Sequence, residues 1–226
     1  MSDQEILLGI DTCGATGSIA LGRVVDAHVV VLGQTELAGG EFASRIVGVI
    51  ADLLDGVGIQ VAELAGIIVV IGPGTFTGIR IGLSTAKALA EACGIPVVTV
   101  SRLALLAHEA GTPCAALDAH RGQVFLGIYA AGSPMGEMLV TAGEFSALGR
   151  LPGPVAFCEE GTAHLMDTVA TDVEMVRTAT PPAFAAIRFA LERWRAGDFA
   201  DVATIDGYYL RGADAKTQVA LAAGKG

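Results

Sequence analysis

Apolar residues recur along this chain with two periods. Short, largely apolar runs of strand length occupy 6–11, 18–22, 27–32, 66–71 and 95–100. Between them, two longer stretches repeat apolar positions every three or four residues and predict helices over 41–55 and 75–92. Gly56 and Gly58 close the first helix and Gly94 closes the second. Three consecutive strands followed by helix, strand, helix and strand predict an antiparallel meander continued as a mixed, helix-flanked sheet.

The second half repeats the theme in shorter pieces. A linking helix over 102–110 leads to a hairpin of strands 114–118 and 123–129, turning through Ala119-His120-Arg121-Gly122. A strand near 155–158, a helix over 162–169, a strand over 174–176 and a helix from Pro181-Pro182 to about Arg195 follow. Asp118 ends a strand before a polar turn, as Asp11 does in the first half. This suggests a duplicated, degenerate architecture, although no repeat is visible in the residues themselves. The pattern divides into an N-terminal domain over 1–101 and a smaller C-terminal domain over 102–211. The Ala/Gly-rich tail from 213 reads as frayed, with 212–226 able to pack back on the first domain.

The faces of the two long helices are wider than one sheet needs. In 41–55, Phe42, Ala43, Ile46, Val47, Val49, Ile50, Leu53 and Leu54 fill an arc of about 160°, against the ~100° of an ordinary surface helix. In 75–92 the charged residues are Arg80, Lys87 and Glu91, which share with Ser84 one strip of about 60°. Such a helix packs on its own sheet and on something else. The candidate interface residues are Phe42, Ile46, Ile50, Leu53, Phe76, Ile79, Arg80 and Leu83, some of which face the sheet. Arg80 either lies solvated or paired with Glu91 on the polar strip, or anchors the partner contact. Leu83→Glu separates the two uses of its face: an interface loses dimerisation and keeps its fold, whereas a core loses the fold.

Composition narrows the chemistry. Hydrophobic residues make up 52% of the 226 and the mean hydropathy is +0.58. No run approaches the roughly 18–20 apolar residues of a membrane helix, so no membrane association is expected. Asp3 and Glu5 precede the first apolar run without a basic stretch, and a cytoplasmic location is the expectation. A net charge of −10 argues against autonomous nucleic-acid binding. Cys13, Cys93, Cys114 and Cys158 show neither metal-ligand spacing nor a disulfide framework and read as reduced thiols.

The stretch Gly72-Pro73-Gly74-Thr75-Phe76-Thr77-Gly78 joins a strand to a helix, a geometry that offers backbone N–H groups to an anion, with Thr75 or Thr77 as cap. Asp11 and Thr12, in a Thr/Gly hairpin, resemble the phosphate-binding turn of actin-like ATPases, although Asp11 equally suits capping its own turn. Candidate nucleotide- or anion-binding residues are therefore Asp11, Thr12, Gly72, Gly74, Thr75, Thr77, Gly78 and Asp118. The loop is not a P-loop: no Gly-Lys-Ser/Thr follows it. His28, His108, His120 and His164 are too far apart in sequence for a His-x-x-x-His metal pair. Ser18, Ser44, Ser84 and Ser101 sit in no catalytic motif. No catalytic residue and no metal site is predicted.

Residues 72–83, Ile-Pro-Val-Val at 95–98, Leu-Asp-Ala-His-Arg-Gly-Gln-Val-Phe at 117–125 and Tyr-Leu-Arg at 209–211 together resemble the TsaB family, collinearly from Ile6 to about Arg211. The resemblance implies an actin-like ATPase (ribonuclease-H-like) fold of two α/β subdomains with mixed sheets. It also implies a non-catalytic scaffold that binds the paralogue TsaD, completed by the small ATPase TsaE, for N6-threonylcarbamoylation of adenosine 37 in tRNAs reading ANN codons. The tRNA is then met only through the complex. In that family the two N-terminal helices, here 41–55 and 75–92, pack with the partner's as a four-helix bundle or form a homodimer in isolation. No cofactor is assigned to this chain; ATP or ADP at the junction of the complex stays open. The alternative is a weakly nucleotide-binding or phosphotransferase-type actin-like enzyme. One departure stands out: many members carry a His where this chain has Gly39-Gly40-Glu41-Phe42-Ala43-Ser44.

Overall fold

The computed structural model describes residues 5–130, 133–169 and 173–210. Strands β1 (Ile6–Asp11), β2 (Thr16–Val25) and β3 (His28–Ala38) form the expected antiparallel meander. Helix α1 (Phe42–Val57), β4 (Gly66–Val70), α2 (Phe76–Cys93) and β5 (Val97–Val100) follow, with β4 parallel to both β1 and β5. The strand order is β3-β2-β1-β4-β5. β2 and β3 run well past the predicted 18–22 and 27–32. Their added residues, such as Gly33, Gln34 and Glu36, carry no apolar signal and are held by backbone pairing at the sheet edge.

The remaining elements are α3 (Arg102–Ala110), β6 (Cys114–Asp118), β7 (Gln123–Ala130), β8 (Ser133–Thr141), α4 (Ala142–Ala147), β9 (Val155–Phe157), α5 (Glu160–Val169), β10 (Met175–Arg177) and α6 (Ala183–Arg195). The second sheet has the order β10-β9-β6-β7-β8, with β6, β7 and β8 antiparallel and β9 and β10 parallel to β6. This is the first sheet's topology repeated. β8 and α4 are absent from the sequence reading, because Ser-Pro and Gly-Glu interrupt any apolar period between 133 and 141.

The chain divides into two compact units. The first comprises the described residues to Ser101 with Pro182–Gly207, the second Arg102–Pro181 with the described residues from Tyr208. The segment 182–207, expected in the C-terminal domain, therefore belongs to the first unit; 212–226 lies outside the described residues. Packing explains the assignment. α1 and α2 cover one face of the first sheet, enclosing Ile6, Leu8, Ile10, Ile19, Leu21, Ile67 and Val69. The parallel strands β1, β4 and β5 are apolar on both faces and need cover on both, and α6 supplies the other. Its first N–H, from Ala183, donates to Ser18 Oγ at 2.7 Å, and Trp194 Nε1 donates to Ala65 O at 3.1 Å. Gly9 permits the approach: a Cβ there would stand 2.7 Å from Ala183 O.

In the second unit, α3, Tyr208 and Leu210 pack with Leu117, Phe125 and Tyr129, while Phe145 of α4 and Met166 of α5 pack with Ala116, Val124 and Leu126. Arg102 is 4% exposed and pairs with Glu159 at 2.9 Å.

Candidate functional site

α1 and α2 lie side by side on one face of the first sheet, and each ends on a left-handed glycine, Gly58 and Gly94, whose N–H returns to the last turn. Their inner sides are settled by burial. Phe42, Ile46, Ile50, Ile79 and Leu83 are between 1% and 5% exposed, and with partly buried Leu53 belong to or pack against the chain's own core. Six of the eight candidate interface residues thus face the chain itself, because the sheet claims the richest part of each apolar arc. Leu83→Glu consequently tests the core.

Phe76 and Arg80 remain on the outside. Phe76 is 54% exposed, and the Arg80 guanidinium carbon stands 3.6 Å from its ring centroid. Around them the exposed surface is built from small residues. On α2 the exposed positions Phe76, Arg80, Ser84, Ala88 and Ala92 are spaced by four, and on α1 so are Ala43, Val47 and Ala51, with Gly48 alongside. Val47 is 68% exposed. Rows at i, i+4 are the ridges with which helices pack on one another. Small residues on such ridges let a second helix come close. The four-residue spacing of small side chains is the signal that the hydrophobic arcs obscured. At the head of α1, Arg45 pairs with Glu41 at 2.9 Å.

The candidate anion residues fall into two places. Asp11 Oδ1 accepts from Cys13 N at 2.8 Å and Asp11 is 3% exposed, so the acid caps its own turn. Thr12 is fully buried, and its Oγ1 donates to Gly78 O at 2.7 Å. Thr75 N donates to Cys13 O at 2.7 Å. A Cβ on Gly74 would overlap the Cys13 carbonyl oxygen, and one on Gly78 the Thr12 carbonyl oxygen. The glycines of 72–78 therefore serve close approach: the loop lies on the β1–β2 turn. Gly72 has φ 113° and is buried, Thr75 is the N-cap residue without a side-chain cap bond, and Thr75 and Thr77 are exposed.

Asp118 belongs to the second unit. Its Oδ1 accepts from His120 N at 2.6 Å and its Oδ2 lies 3.3 Å from His120 Nδ1. His120, Arg121 and Gly122 all have positive φ, and Gly161 of α5 lies directly against the carboxylate. Elsewhere in this unit Tyr129 donates to Glu137 at 2.7 Å. Burial, and then the Glu137 charge, push the Tyr208 phenol up to about 12. Burial also raises the Cys114 thiol, partly offset by a backbone hydrogen bond from Gly153.

Among the described residues no three His, Cys, Asp or Glu side chains converge on a metal position, and no helix is long and apolar enough to cross a membrane.

A family model described as TsaD, tRNA N6-adenosine threonylcarbamoyltransferase, matches residues 31–203. The tRNA threonylcarbamoyladenosine biosynthesis protein TsaB of Bacillus subtilis (strain 168) is 35% identical over 130 residues, 54% of each chain. That of Escherichia coli (strain K12) is 33% identical over 131 residues, again 54% of each. The chain belongs to the family that this model describes, and the TsaB proteins are among its relatives. It spans about half the length of these curated relatives. A Pseudomonas aeruginosa protein, described as uncharacterized with similarity to peptidase YeaZ, superposes with a TM-score of 0.75 at 24% identity, covering 92% of this chain and 100% of that one. Its likeness shows the fold, two mixed sheets of the actin-like ATPase type.

That fold implies an adenine nucleotide with its phosphates at the β1–β2 turn. The residues present do not fit one. The Thr12 hydroxyl is already given to Gly78, the Asp11 carboxylate to Cys13, and the start of α2 fills the space above the turn.

Proposed function

We propose that the chain is an accessory subunit of tRNA threonylcarbamoyladenosine formation that binds the catalytic paralogue TsaD, with TsaE, through the outer ridges of α1 and α2. One observation carries the reading: the exposed four-residue rows, Ala43-Val47-Ala51 and Phe76-Arg80-Ser84-Ala88, on two adjacent helices. Such rows suit a pair of partner helices, with Phe76, Arg80 and Val47 as anchors in a field of small side chains. A second copy of the chain would use the same rows, which makes a homodimer the form of the isolated protein. Names of relatives supply the pathway, and adenosine 37 of tRNA is the substrate of the complex. The charge of −10 leaves contact with tRNA to the partner.

Reconstitution tests the proposal. The isolated chain should neither hydrolyse ATP nor modify tRNA, yet restore threonylcarbamoylation to a TsaD and TsaE mixture that lacks it. Val47→Asp should abolish that restoration while leaving the thermal midpoint unchanged. Turnover by the isolated chain, or undiminished restoration by the variant, would sink the reading.

A further inference from the structure

The partner face accounts for the outside of α2 but leaves unexplained the motif at its head. The β1–β2 turn meets that head through two hydrogen bonds of 2.7 Å, one from Thr12 Oγ1 to Gly78 O and one from Thr75 N to Cys13 O. A third, from Cys13 N to Asp11 Oδ1 at 2.8 Å, holds the turn in shape. Gly82, one helical turn further on, is also without a Cβ where Thr12 Oγ1 stands. Gly78 sits two residues from both Phe76 and Arg80. Phe76 is 54% exposed and carries the Arg80 guanidinium 3.6 Å over its ring, so the pair moves with the first turn of α2.

We propose that the turn used for phosphate in the actin-like fold is here a clamp on α2, and that Thr12 is the positioning residue setting where Phe76 and Arg80 stand. Its hydroxyl takes the second lone pair of a carbonyl in the first helical turn, in a buried place where one hydrogen bond is not exchanged for water. The consequence for partner binding rests on the function proposed above; the clamp does not. The glycines at 74, 78 and 82 are then the complement of the clamp, bare backbone shaped to the turn. A nucleotide in that turn would have to displace the helix head.

The experiment compares Thr12→Val and Thr12→Ser in the full chain. Hydrogen exchange of amides 76–82 should quicken roughly ten-fold in the valine variant and stay near wild type in the serine one, with exchange in α6 unchanged in both. TsaD capture should weaken roughly five-fold or more for valine and recover with serine. Titration of the wild type with ATP should give no binding heat. Wild-type exchange in the valine variant overturns the clamp, as does ATP binding that Thr12→Val removes. If valine does not fold, Thr12→Ala deletes the hydroxyl with room to spare and carries the same comparison. A wild-type chain that captures no TsaD, alongside the predicted exchange pattern, would sink the partner reading and leave the clamp standing.

Discussion

In the first unit the turn after the leading strand is sealed, with Asp11 3% exposed and Thr12 fully covered. In the second the matching turn stands open: the His120 side chain is 79% exposed, and three successive residues hold positive φ. Both sheets have one topology, and both acids accept a hydrogen bond from the backbone two residues on. The difference lies in the helix that arrives. α2 comes in behind Gly72, Gly74 and Gly78 and can settle on backbone; α5 brings Gly161 alone to that contact and settles on a carboxylate. A shared topology thus fixes where a turn lies, while the following helix decides whether ligands can reach it.

Breaking the sealed turn should cost most. Gly78→Ala places a methyl on the Thr12 carbonyl, where neither partner is free to move, and should lower stability by about 3 kcal/mol in urea unfolding. An unchanged midpoint would show that the seal is soft. In the second unit, which adds to its apolar packing an ion pair with one buried partner where the sealed turn of the first uses backbone contacts, Arg102→Met should lower stability by about 2 kcal/mol, below a fully buried pair because Glu159 is 27% exposed. Calorimetry showing no loss would remove that contrast.

High pH sharpens the comparison further, since all three tyrosines, at 129, 208 and 209, lie in the second unit. Tyr208 titrates near 12 folded against the ordinary value of 10. Between those values the unfolded chain has released a proton that the folded chain keeps, so stability falls as pH rises from about 10 to 12. Near-ultraviolet circular dichroism should report tertiary loss over that window, and Tyr208→Phe should remove part of it. The smallest effect is expected from Gly161→Ala. There the added methyl meets a side-chain oxygen that can swing aside, and the gain in helix propensity leaves a net change within about 1 kcal/mol. A loss as large as that of Gly78→Ala would erase the distinction between the turns.

Periodicity was enough to read β1, β4, β5, α1 and α2, because each repeats its apolar positions without interruption. It could not divide the arc of a helix between its own sheet and a partner. Ile46 and Val47 are equally apolar neighbours, yet one is 2% exposed and the other 68%. The glycine loop was legible as a strand-to-helix turn, but whether its backbone met an anion or another turn depended on Thr12, 66 residues away from Gly78. β8 lacked any apolar period. α6 was legible as a helix, and its assignment to the first sheet was not, since its contacts reach across 165 residues to Ser18.

That last span bears on how the chain comes to be folded. During synthesis the strands of the first sheet emerge early, with α1 and α2 at hand to cover one side. The opposite side, including Gly9, waits for Ala183 and Ile187. At a translation rate of about 5–20 residues per second, the nascent first unit carries an uncovered apolar sheet for several seconds, while residues 102–181 of the second unit are being made. A ribosome stalled between the end of β5 and Ala183 would therefore hold an intermediate with one apolar sheet face open to chaperones, and the folding clock of the first sheet is set by a helix made only after the whole second sheet.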